Sequence, residues 1–164
     1  MSIIGGGKID TVQACDAERL GQLAVEAGFR ICCGGMGGVM AAACRGARQA
    51  ANYQEGDTMG ILPGLDRSMA NPFVDIALPT SLGHGRNLLV VATGDVVVAI
   101  GGASGTLSEI ALAWRLGRPI VVLANSGGWS SQLAGMAIDD RRTDRVRAAA
   151  TPEDAIRIAC VIST

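Results

Sequence analysis

Three times in this sequence a short apolar stretch of strand length runs straight into a cluster of glycines. Residues 1–4 run into Gly5-Gly6-Gly7, residues 29–33 into Gly34-Gly35-Met36-Gly37-Gly38, and residues 95–100 (DVVVAI) into Gly101-Gly102-Ala103-Ser104-Gly105. DVVVAI is the clearest of them, an unbroken apolar run after its aspartate, which is how a strand covered on both faces reads. Whatever follows a strand leaves at its carboxyl end, so parallel strands would gather all three clusters along one edge of a sheet. Glycine there permits tight turns and a close backbone approach to a ligand. Of the 164 residues 23 are glycine, roughly twice the usual share, and their clustering without a period excludes a collagen-like chain.

Between these stretches the apolar spacing turns helical. Residues 16–27 place Leu20, Leu23, Ala24 and Ala27 on one face, with Gly28 as the stop. Further helices are expected over 39–51, 85–93, 105–116, 130–138 and 151–159, and strands or extended pieces over 58–62, 74–78, 119–124 and 145–149. The last helix has a well-specified start, with Thr151 as N-cap, Pro152 in the first turn and Asp154 at the third position. Strands and helices alternating in this order specify an α/β chain with a Rossmann-like, doubly wound parallel sheet. The expected architecture is three layers, α/β/α, in a single domain over 1–164, with no linker or repeat.

Composition narrows the partners. Hydrophobic residues make up 49% of the chain but aromatics only 3%, so the core is built from aliphatic side chains. The net charge is −1 and no basic stripe is interleaved with aromatics, so no nucleic-acid partner is expected. No apolar run approaches the roughly 20 residues of a membrane span, and no membrane partner is expected. The start of the chain is too short for the apolar core of a signal peptide. Cys15, Cys32, Cys33, Cys44 and Cys160 are odd in number, include one adjacent pair and lack CxxC spacing. They read as reduced thiols of a cytoplasmic protein. With His84 the only histidine and Cys32 and Cys33 on opposite faces of a strand, no metal site is expected.

The chemistry points to an anion. The first-turn N–H groups of the helix after Gly101-Gly102 have no partner within the helix, and its dipole favours negative charge there. Gly5, Gly6, Gly34, Gly35, Gly37, Gly38, Gly101, Gly102, Ser104, Gly105 and Thr106 are the candidate binding residues for a phosphate-bearing small molecule. Glu109 falls on an apolar stripe with Leu112, Ala113 and Leu116, while Leu107, Ile110, Ala111 and Trp114 form another, so this helix is expected to pack on two sides. A carboxylate in that setting needs partners. Arg86, at the start of the helix before DVVVAI, is its natural complement and a bidentate grip for phosphate. His84 between two glycines reads first as a loop residue, with a contribution to ligand binding as the other reading, and Asn71 and Asp75 fit cleft lining and turn capping equally well. The P-loop lysine and the G-x-S-x-G elbow are both absent.

The segments CGGMGGVMAAACRGA (33–47), GILPG (60–64), ANPFVDIALPTSLGHGRNLLVV (70–91) and DVVVAIGGASGTLSEIALAWRLGRPIVVL (95–123) resemble the LOG-like superfamily, also labelled "possible lysine decarboxylase". Within it the chain is most similar to the short bacterial branch related to the molybdenum cofactor carrier protein. The resemblance implies a Rossmann-like fold assembled through helices into a homodimer or homotetramer. In its phosphoribohydrolase branch, which activates cytokinins, a nucleoside 5′-monophosphate loses its base by hydrolysis of the N-glycosidic bond. The arginine and glutamate essential there correspond to Arg86 and Glu109, and the phosphate site to Gly105 and Thr106. Ile100 stands where that branch has proline, and Asn87 where it usually has lysine. Both departures point to the carrier-like branch. The resemblance therefore implies a carrier for a nucleotide or the pterin phosphate of the molybdenum cofactor, with no resident cofactor required. Phosphoribohydrolase activity on a nucleoside monophosphate is the alternative. The one lysine, Lys8, lacks any context for a pyridoxal phosphate Schiff base.

Overall fold

The computed structural model describes residues 1–162; the last two positions of the expected 1–164 span lie outside the described residues. Strands β1 (Ser2–Gly5), β2 (Ile31–Cys33), β3 (Thr58–Leu62), β4 (Ile76–Pro79), β5 (Val97–Ile100), β6 (Ile120–Leu123) and β7 (Arg147–Ala149) form one sheet in the order β4-β3-β2-β1-β5-β6-β7. Every pairing is parallel. The direction of winding reverses between β1 and β5, the point at which doubly wound sheets open a crevice. Register sets Gly5 beside Ile100, so the turns Gly5-Gly6-Gly7 and Gly101-Gly102 leave the sheet next to each other.

The helices are α1 (Thr11–Glu26), α2 (Val39–Ala47), α3 (Arg86–Thr93), α4 (Ser104–Arg115), α5 (Gly128–Leu133) and α6 (Pro152–Ile162). Helices α1, α2 and α6 cover one face of the sheet, packing on Ile3, Ile31, Val98, Ile100 and Val121. Helices α3, α4 and α5 lie on the other, over Ile4, Cys32, Ile61, Val97 and Val122. The architecture is the expected three-layer α/β/α fold. No helix among the described residues is long and apolar enough to cross a membrane.

Three boundaries differ from the sequence expectation by four residues or more. Helix α1 begins at Thr11 and not at 16, because Asp10 accepts from Gln13 N at 2.8 Å while the Gln13 side chain accepts from Asp10 N, a reciprocal cap. Helix α2 stops at Ala47 instead of reaching 51, as Gln49, Ala50 and Tyr53 donate to carbonyls three residues back and tighten the chain into turns. Helix α5 ends at Leu133 rather than 138. Gly135 turns to a φ of 76° and donates to Val146 O, while Val146 donates to Met136 O, so this stretch pairs with the segment entering β7.

Helix α4 also packs differently from its two expected stripes. Thr106, Glu109, Ile110, Ala113 and Trp114 form one buried face, and Leu116 is 45% exposed.

Candidate functional site

Beneath the first turn of α4, at the carboxyl ends of β1 and β5, lies a cavity of about 250 Å³. Gly5, Gly6 and Gly7 form one wall, Gly34 and Met40 another, and Ala103, Gly105, Thr106 and Glu109 bring α4 to it. His84, Arg86 and Asn87 complete it from the start of α3. Among the residues expected to bind, Gly5, Gly6, Gly34, Gly105 and Thr106 line this cavity with Arg86 and Glu109. Gly35, Gly37, Gly38, Gly101, Gly102 and Ser104 lie outside its lining. Gly35 packs on Gly60 and its carbonyl accepts from Asn71 N, and Gly38 packs on Gly6 and Gly7. Gly101 and Gly102 offer their carbonyls to Ser130 N and Trp129 N.

Two of these glycines are dictated by geometry. Gly102 holds a φ of 95°, and a Cβ there would lie 2.4 Å from the Thr106 side chain. A Cβ on Gly34 would lie 1.7 Å from Arg86 Nη1. Removing that one carbon lets the guanidinium lie flat against the β2 turn. Arg86 is anchored there by Nη1, which donates to Ile61 O at 2.9 Å. Its Nε is fully enclosed and meets no acceptor among the described residues. Nη2 likewise has no acceptor there but is not enclosed, so it is the guanidinium nitrogen left to a ligand in the cavity.

The start of α4 adds more donors. Ala103 stands at the cap position and supplies no side-chain acceptor, and the first bond of the helix is Leu107 N to Ala103 O. The N–H groups before it are left to the cavity's contents. Glu109, one turn further on, is 8% exposed and accepts a hydrogen bond from no described residue. Burial pushes its carboxyl up to about 7, against the opposing pull of the Arg86 guanidinium. Arg86 and Glu109 thus share the cavity without closing an ion pair.

Some positions resolve outside the cavity. Asp75 accepts from Tyr53 OH, Gly56 N, Thr58 N and Arg48, and ties the segment before β4 to β3. Asn71 donates to Met36 O and accepts from Phe73 N. Of the two open readings of these residues, turn capping holds. Asn87 and Met40 line the cavity unforeseen. Asn87 could have been picked out by its place directly after Arg86. Met40 looks in sequence like any other apolar helix residue. Buried Cys33 and Cys44 approach to 3.7 Å behind the β2 turn. No group of three or more His, Cys, Asp or Glu able to hold a metal occurs among the described residues. A second cavity, about 380 Å³, opens at the other ends of the strands by Cys32, Met59 and Ile76. It gathers none of the unpaired polar groups described above.

A family model described as the SLOG cluster4 family matches residues 1–156. An uncharacterized protein from Archaeoglobus fulgidus is 37% identical over 123 residues, covering 75% of this chain and 78% of that protein. Two solved structures align over nearly the whole length. The molybdenum cofactor binding protein of Rippkaea orientalis is 32% identical with a TM-score of 0.81, covering 99% of this chain and 96% of that one. The molybdenum cofactor carrier protein of Chlamydomonas reinhardtii is 29% identical with a TM-score of 0.78, covering 98% and 96%.

Proposed function

The chain belongs to the SLOG cluster4 family, and on that premise we propose that it binds and carries a phosphate-bearing small molecule in the cavity under α4. The ligand is a nucleotide or the pterin phosphate of the molybdenum cofactor; the Rippkaea and Chlamydomonas relatives are named for the molybdenum cofactor. One observation carries the proposal: Arg86 Nη2 has no acceptor, is not enclosed, and belongs to a side chain lining the cavity beside the uncapped start of α4. A phosphate between them would satisfy both. In this reading Arg86, Gly105 and Thr106 hold the phosphate, and the turns at Gly5-Gly6 and Gly34 allow the body of the ligand to lie close to the backbone. The chain acts as one domain and as a homodimer or homotetramer, with Leu82, Leu88, Leu89 and Leu116, 40–53% exposed, as the support for assembly.

Native mass spectrometry of protein purified without added ligand tests this reading. A retained nucleotide or pterin phosphate is expected, as is binding of added 5′-AMP or a pterin phosphate. Gly34→Ala forces Arg86 aside, since the new Cβ would lie 1.7 Å from Nη1. Affinity should fall about tenfold or more. The denaturation midpoint should fall only modestly, because the displaced guanidinium gives up one hydrogen bond, Nη1 to Ile61 O, worth about 1 kcal/mol. A protein that retains nothing and binds neither probe would end the carrier reading.

Glu109 favours a second reading, hydrolysis of the N-glycosidic bond of a nucleoside 5′-monophosphate. A buried carboxyl held at about 7 is placed to take and return a proton near neutral pH. Free base released from 5′-monophosphates, and abolished by Glu109→Ala, would replace the carrier by an enzyme. No release alongside tight binding decides for the carrier.

A further inference from the structure

Asn87, the second residue of α3, is 6% exposed and lines the cavity. Its amide is held in one orientation by a chain of hydrogen bonds that crosses to α4. Ser108 Oγ donates to Gly105 O at 2.7 Å, which uses the only proton of that hydroxyl. Toward Asn87 the same oxygen can therefore only accept, and Asn87 Nδ2 donates to it at 3.2 Å. The amide NH2 is thereby committed to Ser108, and the carbonyl oxygen, Oδ1, is left with no donor among the described residues. Nor is that oxygen sealed in. The enclosed side-chain polar atoms without a partner are Arg86 Nε and Ser130 Oγ, so Oδ1 keeps an opening, and the opening beside Asn87 is the cavity.

Two kinds of unmet need thus meet in one place. Arg86 Nη2 and the first N–H groups of α4 lack acceptors, and a phosphate supplies those. Asn87 Oδ1 and the Glu109 carboxyl lack donors, and a phosphate dianion has none to give. A ligand that filled the cavity but bound through phosphate alone would cut this amide oxygen off from water and leave it unpaired, at the cost of a missing hydrogen bond.

We infer that Asn87 is a specificity-determining residue, whose amide oxygen accepts a hydrogen bond from a hydroxyl or N–H on the ligand's body, next to its phosphate. The inference rests on the phosphate-ligand reading above and narrows it to phosphomonoesters with a donor-bearing body. Ribose hydroxyls and the ring N–H of a pterin both supply that chemistry, while inorganic phosphate does not.

Titration calorimetry separates these cases. Wild type and Asn87→Ala are titrated with inorganic phosphate, 5′-AMP, 2′,3′-dideoxy-AMP and 6-hydroxymethylpterin monophosphate. The variant should bind the donor-bearing ligand about tenfold more weakly and inorganic phosphate within about twofold of wild type. A loss seen with 5′-AMP but not with its dideoxy analogue places the donor on ribose; a loss with the pterin ester places it on the ring. An equal loss for phosphate, as a general disturbance of the pocket would give, overturns the inference, and so does no loss with any ligand. A wild type that binds none of the probes overturns the phosphate-ligand reading and this inference with it. If Asn87→Ala does not fold, Ser108→Ala frees the amide to turn and gives the same readout. Its preference for the ester over inorganic phosphate should shrink; an unchanged preference counts against the assignment.

Discussion

The two faces of the sheet are built to different standards. On one face α1 and α2 approach until backbone meets backbone: a Cβ on Gly21 would lie 2.0 Å from Ala43 O, and one on Gly46 would lie 1.7 Å from Glu18 O. With α6 beside them, they seal Ile3, Val98 and Ile100 completely. On the other face α3 and α4 leave gaps. At its outer end Ile76 and Leu78 of β4 remain 40% and 41% exposed, beside Met59 and Ile61 in register. At its carboxyl edge the same two helices carry Arg86, Asn87, Thr106 and Glu109 into the cavity. Unpaired buried groups and uncovered apolar surface both collect on the loosely roofed face. A fold can carry such local violations only where the rest of it is consistent.

The largest effect should come from breaking the sealed face. Gly46→Val places side-chain carbon where the Glu18 carbonyl already stands, and α1 and α2 must part to admit it. The cost should exceed roughly 3 kcal/mol, a large fraction of the stability of a domain this size. Gly105→Ala is the control on the open face, where an added Cβ meets nothing within 4 Å. Its stability should stay within about 1 kcal/mol of wild type. Urea titration of the pair measures the contrast, and equal midpoints would erase it.

Next in size is the buried acid of the open face. The Glu109 carboxyl rises from an ordinary 4.5 to about 7 on folding, so between these values the folded chain holds a proton that the unfolded chain has lost. Stability is therefore full below about pH 4.5 and declines as the pH rises toward 7. The decline levels off above that at up to about 3 kcal/mol. Glu109→Gln should remove this part of the pH profile and be the more stable protein at pH 8. Parallel profiles for the two proteins would show that burial does not burden the carboxylate.

Much of this contrast was legible in the residues, and its limits are physical. Apolar runs ending in glycine located β1, β2 and β5 and the edge on which the cavity opens, because a strand that ends in a tight turn leaves both marks locally. Arg86 was legible from its place at the start of one helix and Glu109 from its place on an apolar stripe of another, both helices starting at that edge. The start of α1 was not, because its cap joins Asp10 to a glutamine three residues on, ahead of any strong apolar stripe. The packing of α4 was legible only in part, because apolar residues on two sides of a helix do not say which of them meet the sheet; Ile110, Ala113 and Trp114 are buried while Leu116 stays open. Asn87 depends on Ser108, 21 positions away on another helix. Its free oxygen exists only once both helices are in place.

The smallest effect on stability should come from the outer surface of the open face, and there the readout is assembly. Leu88 and Leu89 of α3 are 43% and 40% exposed, on the helix that roofs the same face as Ile76 and Leu78. Scattered exposed leucines are ordinary. Several on one incompletely covered face are the pattern of a surface that meets a partner, and the partner expected here is a second copy of the chain. The double variant Leu88→Asp, Leu89→Asp removes no contact that holds the core, so its unfolding at low protein concentration should lie within about 0.5 kcal/mol of a wild-type monomer. Light scattering should find the wild type as a dimer or tetramer and the variant as a monomer. A wild type that is monomeric at every concentration would mean that the open face serves only the cavity. A variant that stays assembled would move the contact to another surface and leave the exposed leucines as part of the ligand's approach.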